Sequence, residues 1–132
     1  MESKPSASPK ALFWIGWIVS ALPALFLLFG GVMSLVNPPA AGEGLAKYGY
    51  AENVGVPLGA VLLISTLLYL FPRTAVLGAI LLTGYLGGAV ATHVRAGEGA
   101  FFILFPVAFG VVIWLGLVLR EPRLRSLVPW RN

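Results

Sequence analysis

The sequence predicts an all-α integral membrane protein, an antiparallel bundle of four transmembrane helices, and three observations carry that prediction. Hydrophobic residues fill 58% of the 132 positions and charged residues only 11%, whereas a soluble domain uses about a quarter charged residues to cover its surface. The apolar residues collect in four runs divided by short polar or proline-marked links. Each run is apolar on every face, which excludes strands, because a lipid-exposed sheet edge would leave its backbone unpaired in hydrocarbon.

The first run, Ala11 to Val36, carries no charge and is closed by Pro38 and Pro39, which cannot continue a helix. A bilayer core of about 30 Å needs roughly 20 helical residues, so this run crosses with some tilt. Lys4 and Lys10 resemble the basic start of a secretory signal, but the apolar core of such a signal is only about 7 to 15 residues; the helix is expected to be retained behind a polar tail of residues 1–10. The second run, Val54 to Phe71, ends at Pro72-Arg73, and the third begins at Thr74 and extends to Thr92. Two residues join two spans only as a tight antiparallel hairpin. The fourth run, Ala100 to Leu119, follows the polar stretch from His93 to Gly99 and stops at Arg120. Residues 37–53 form a long loop with room for a short interfacial helix, and 120–132 form a basic tail. All 132 residues belong to one membrane domain.

Orientation follows from the basic residues. Lys4, Lys10, Arg73, Arg120, Arg123, Arg125 and Arg131 fall on one side of an even number of crossings, Lys47 and Arg95 on the other. Seven against two places both termini in the cytoplasm, N-in and C-in. Trp14, Trp17, Tyr69 and Trp114 lie toward that side, as an aromatic belt would, and Tyr48 and Tyr50 flank the opposite interface. The net charge of +4 sits beside apolar spans and makes no separate basic face, so the expected counter-charge is anionic lipid and not nucleic acid.

Stepping by four from Ala75 gives Ala79, Thr83, Gly87 and Ala91, and a second row runs Gly84, Gly88, Thr92. Small residues at this spacing let membrane helices approach closely. The third helix is therefore expected to be the one most surrounded by protein, with a homo-oligomer seam as the alternative use of the ridge. Gly55 and Gly59 make a similar pair in the second span, where Pro57 favours a kink equally. Pro23 and Pro106 are expected to bend the first and fourth helices.

The four runs contain no Asp, Glu, Lys, Arg or His. Proton relays and ion pumps depend on such groups within a span, which argues against a proton-coupled mechanism. Without cysteine and with one histidine, no metal site and no catalytic residue is expected. What remains is a polar column at the outer half of the third helix: Tyr85, Thr92 two turns on, then His93 and Arg95. Such a column suits the polar head of an amphipathic ligand, a quinone for example, with His93 or Thr92 donating to a carbonyl. The competing reading has Tyr85 and Thr92 bonded to neighbouring backbone, His93 and Arg95 at lipid phosphates, and Glu98 paired with Arg95.

The stretch RTAVLGAILLTGYLGGAVATHVR from Arg73 to Arg95, with LLYLFP before it and LFPVAFGVVIWLGLVLREPRLRSLVPWR after it, resembles the DoxX-like family of bacterial membrane proteins. The resemblance implies four transmembrane helices in a bacterial inner membrane. The family is named for its relation to DoxD, a membrane subunit of a thiosulfate:quinone oxidoreductase. Many relatives carry a glutamate in the second helix, near the positions of Gly59, Ala60 and Val61 here, so no catalytic residue is implied for this chain. The expected function is a non-catalytic accessory protein or subunit, linked to membrane redox or stress metabolism and acting through a protein partner or a bound quinone or lipid. A small exporter of the four-helix type is the alternative, although such exporters need an acidic residue in the membrane. An enzyme acting on lipid at the outer interface would have only His93 as a base.

Overall fold

The computed structural model describes residues 9–125, and helices account for nearly all of them. The expected tail residues up to 8 and from 126 onward, with Lys4 and Arg131, lie outside this range. Helix α1 spans Pro9–Val36, α2 Pro38–Ala46, α3 Gly55–Leu70, α4 Ala75–Arg95, α5 Ala100–Arg120 and α6 Pro122–Arg125. Short 3-10 turns, Glu52–Val54 and Pro72–Thr74, lead into α3 and α4. The loop after α1 does contain a helix. Pro38 and Pro39 end the first helix and occupy the first turn of the second, where a missing N–H costs nothing.

The segments Lys10–Val36, Pro72–Arg95 and Ala100–Arg120 are long and apolar enough to cross a membrane, while Gly55–Leu70 is apolar but shorter. Ile18, Leu22 and Phe29 on α1, Leu77 and Ile80 on α4, and Phe101, Leu104 and Val111 on α5 are all exposed. Apolar surface of this extent belongs in lipid. The chain is a multi-pass integral membrane protein.

Helix α1 packs against α3 and α5, and α4 packs against the same two from the other side. The pairs run antiparallel: Gly16 meets Arg120 and Gly116 meets Ser20 between α1 and α5, Gly31 meets Gly59 between α1 and α3, and Gly78 meets Tyr69 between α3 and α4. Gly59 is thus a packing residue, with the Cβ of Ser34 2.5 Å from where its own Cβ would stand. The core joins Leu27, Leu62, Tyr69, Ala75, Ala79, Leu82, Leu86, Ile113 and Leu117.

Two expectations are corrected here. The third span is not the centre of the bundle, since α1 and α4 each have the same two neighbours. Its small-residue ridge is buried at Ala75 and Ala79 only; Thr83, Gly84, Gly87, Gly88 and Ala91 are exposed, and nothing lies within 4 Å of a Cβ built on any of the three glycines. The reason is helical geometry. A step of four residues advances about 400°, so a four-step ridge winds away from a fixed face by about 40° per step. The stripe that stays buried mixes steps of three and four: Ala75, Gly78, Ala79, Leu82, Leu86.

Tyr69 and Arg120 also differ from expectation. Tyr69 is 0% exposed and not part of an interfacial belt. Its hydroxyl donates to the Ile113 carbonyl (2.7 Å) and is hydrogen-bonded with the Ser20 hydroxyl (3.0 Å), tying α3 to α5 and α1. Arg120, expected to begin the polar tail, is the last residue of α5 and is buried between α1 and α3.

Candidate functional site

At the end of the bundle that carries α2 and the α4–α5 link, helix α4 runs past the predicted Thr92 to Arg95, so His93 and Arg95 are helical residues. Gly97, with φ of 74°, then turns the chain in the left-handed region that suits glycine. On the opposite rim Gly49 takes φ of 90°, and the turn it makes aims Tyr48 and Tyr50 back at α4.

Three contacts fasten this rim. The Tyr48 hydroxyl donates to the Glu98 carboxylate, 3.0 Å from Oε2. Arg95 Nη2 donates to the Tyr48 carbonyl at 2.8 Å. The hydroxyls of Tyr50 and Thr92 lie 2.6 Å apart. Thr92 also donates to the Gly88 carbonyl at 2.8 Å; its one proton is thereby spent, so Tyr50 is the donor to Thr92.

His93 Nδ1 pairs with Glu98. A carboxylate only accepts, so Nδ1 carries the hydrogen, and a neutral ring keeps Nε2 as an acceptor. Tyr48 and Phe102 pack on the same imidazole, with ring centroids 5.3 and 5.9 Å away. Glu98 therefore pairs with His93 and Tyr48, not with Arg95 as the sequence suggested. The hydrogen bond with His93, followed by that from Tyr48, holds its carboxyl below the usual carboxylate range. The same carboxylate raises the Tyr48 phenol above the usual tyrosine value.

Beneath the rim a pocket of about 530 Å³ opens between α3 and α4, within the size range of small-molecule sites. Leu58, Val61, Ile80 and Leu81 form its apolar walls; Tyr50, Tyr85, Thr92 and His93 supply its polar groups. Tyr85, Thr92 and His93 thus line one pocket. Arg95 does not join them. It stands on the other side of the Tyr85 face from His93, is exposed, and serves the rim instead.

Tyr85 is half-buried, and among the described residues no group hydrogen-bonds its hydroxyl. With the Tyr50 and Thr92 protons committed, the Tyr85 hydroxyl is the donor left over for a ligand. Sequence reasoning missed Tyr50 as a pocket residue and Tyr48 as part of the His93–Glu98 network. Their separations of 42 and 50 residues from Thr92 and Glu98 leave no local pattern to find. Among the described residues no group of three or more His, Asp or Glu side chains could hold a metal ion.

A second, almost wholly apolar groove of about 490 Å³ runs between α4 and α5 along Thr83, Gly87, Pro106, Gly110 and Trp114. Trp114 Nε1 donates to the Thr83 hydroxyl at 2.7 Å there, and no polar group is left over to orient a ligand.

Comparison with known proteins gives a match to the DoxX-like family over residues 18–116, which includes α3, α4 and most of α1 and α5. No curated protein and no solved structure matches the chain.

Proposed function

The chain belongs to the DoxX-like family, and we propose that it is a non-catalytic accessory protein of a bacterial inner membrane that holds the head of a quinone-like ligand in the pocket beneath Tyr50 and Tyr85. In this reading the chain crosses four times with both termini inside, which puts the pocket at the outer interface, and it serves membrane redox or stress metabolism beside a protein partner. The observation that carries the ligand reading is the unspent Tyr85 hydroxyl in a pocket with apolar walls. A carbonyl oxygen is the partner that such a donor lacks, and an apolar ring and tail suit walls made of Leu58, Val61, Ile80 and Leu81. A hydroxyl on the reduced head would find an acceptor in His93 Nε2, the nitrogen that Glu98 leaves free.

The short helix α3 fits a four-span reading, because the 3-10 turns at both of its ends extend the crossing. An exporter that trades protons for cations is less well supported, since Glu98 is spent on a rim contact and stands outside the spans.

The test is the quinone content of the protein purified in mild detergent, measured by solvent extraction and mass spectrometry. A neutral hydrogen bond contributes about 0.5 to 1.5 kcal/mol, so Tyr85→Phe should lower retention by about twofold to tenfold. Trp14→Phe, on an exposed α1 position, should leave it unchanged. Equal content in wild type and Tyr85→Phe would remove the ligand reading.

A further inference from the structure

The opposite end of the bundle holds a charge that the ligand reading does not use. Arg120 is 5% exposed. Its guanidinium carbon lies 4.1 Å from the ring centroid of Trp17 and 4.6 Å from that of Tyr69, so aromatic faces flank it on two sides. Nη2 donates at 2.7 Å to the carbonyl of Tyr69, in the last turn of α3 where helical carbonyls lack partners. Nε is buried without any partner among the described residues.

The salt bridges among those residues are His93–Glu98 and Arg123–Glu121. Among the described residues no carboxylate makes a salt bridge with Arg120; Glu121 favours its charge only through space. A guanidinium keeps its charge in a protein and has five N–H donors, of which one hydrogen bond uses one. Burying such a group without a counter-ion is costly, and two rings with one carbonyl offset only part of that cost.

A small cavity of about 60 Å³ opens beside this residue, lined by Phe13, Trp17, Pro72 and Leu117, with Glu121 also on its wall. Glu121 faces Arg123 at 3.6 Å, so its charge is partly engaged there. The cavity stands where α1 begins, α3 turns into α4 and α5 ends, which is the depth of the lipid headgroups. Exposed Lys10 and Arg73 belong to the same end. The volume suits one oxyanion group and no larger body.

We propose that this cavity takes the phosphate of an anionic membrane lipid, with Arg120 as the counter-charge. The lipid completes the guanidinium's hydrogen bonding and so locks the junction of α1, α3 and α5. Guanidinium and phosphate match in planar, two-point geometry, which a zwitterionic headgroup weakens by bringing its own cation.

The experiment is native mass spectrometry of the detergent-purified protein titrated with phosphatidylglycerol or with phosphatidylcholine of the same chains. One phosphatidylglycerol per chain should be retained about tenfold more strongly than phosphatidylcholine. Arg120→Gln should abolish the preference. Because that change also removes the cap on α3, Glu121→Gln provides a second readout: it withdraws a repelling charge and should raise the preference about twofold or more. Equal retention of the two lipids by wild type would overturn the proposal, as would an unchanged preference in Glu121→Gln. Displacement of the bound lipid by millimolar inorganic phosphate would assign the cavity to a free anion and overturn the lipid site.

Discussion

Replacing Gly78 with alanine puts a methyl group where the backbone of α3 already runs. A Cβ built there would stand 2.5 Å from Tyr69 Cα and 2.8 Å from the Leu68 carbonyl carbon, whereas carbon atoms in ordinary contact are about 3.5 to 4.0 Å apart. The obstructing atoms are main chain, so no rotamer change relieves the overlap and the two helices must separate by about 1 Å. Overpacking of this kind costs about 1 to 3 kcal/mol. Displacing Tyr69 also strains its bonds to Ser20 and Ile113, which adds about 1 kcal/mol. Alanine's better helix propensity returns about 1 kcal/mol, leaving a net loss of about 1 to 3. At Gly87 nothing lies within 4 Å, so Gly87→Ala keeps only the propensity gain. The two variants should therefore differ by about 2 to 4 kcal/mol. Unfolding in mixed micelles with increasing dodecyl sulfate, followed by tryptophan fluorescence, measures this difference. A Gly78→Ala protein as stable as Gly87→Ala would refute the assignment of the buried stripe.

Two further outcomes are expected. The chain has no native cysteine, so single cysteines at Gly44 and Arg123 report topology: in intact spheroplasts a membrane-impermeant thiol reagent should label position 44 and spare 123, and labelling of both would rule out an even number of crossings. Glu98, with a folded pKa below its unfolded one, contributes stability that is present above the unfolded value of about 4 and lost as pH falls through the lowered folded value. The difference in melting temperature between wild type and Glu98→Gln should thus hold at about pH 5 and shrink toward about pH 3; a difference constant over that interval would mean that the carboxylate does not fasten the rim.

The sequence by itself determined the solvent. Composition and run length are local properties, and they suffice to say that this chain belongs in lipid and where its helices begin and end to within a few residues. The shared face of Tyr85 and Thr92 was legible for the same reason, since residues on one helix keep their angular relation wherever that helix is placed. Only the tertiary structure decided which face of each helix meets its neighbours. When every face is apolar, no hydrophobic stripe points inward, and rotation is set by shape alone: Gly78 against Tyr69, Gly116 against Ser20, Gly16 against Arg120. Those contacts pair residues on different helices, so no periodicity along one helix announces them. The small-residue ridge satisfied the local pattern and yet turned outward beyond Ala79, while Gly78, outside the pattern, took the closest approach. Arg120 shows the same limit for charge. At the end of an apolar run an arginine reads as the start of the aqueous tail, and its burial follows from Trp17 on α1 and the Tyr69 carbonyl on α3, two partners that nothing next to it in the chain encodes.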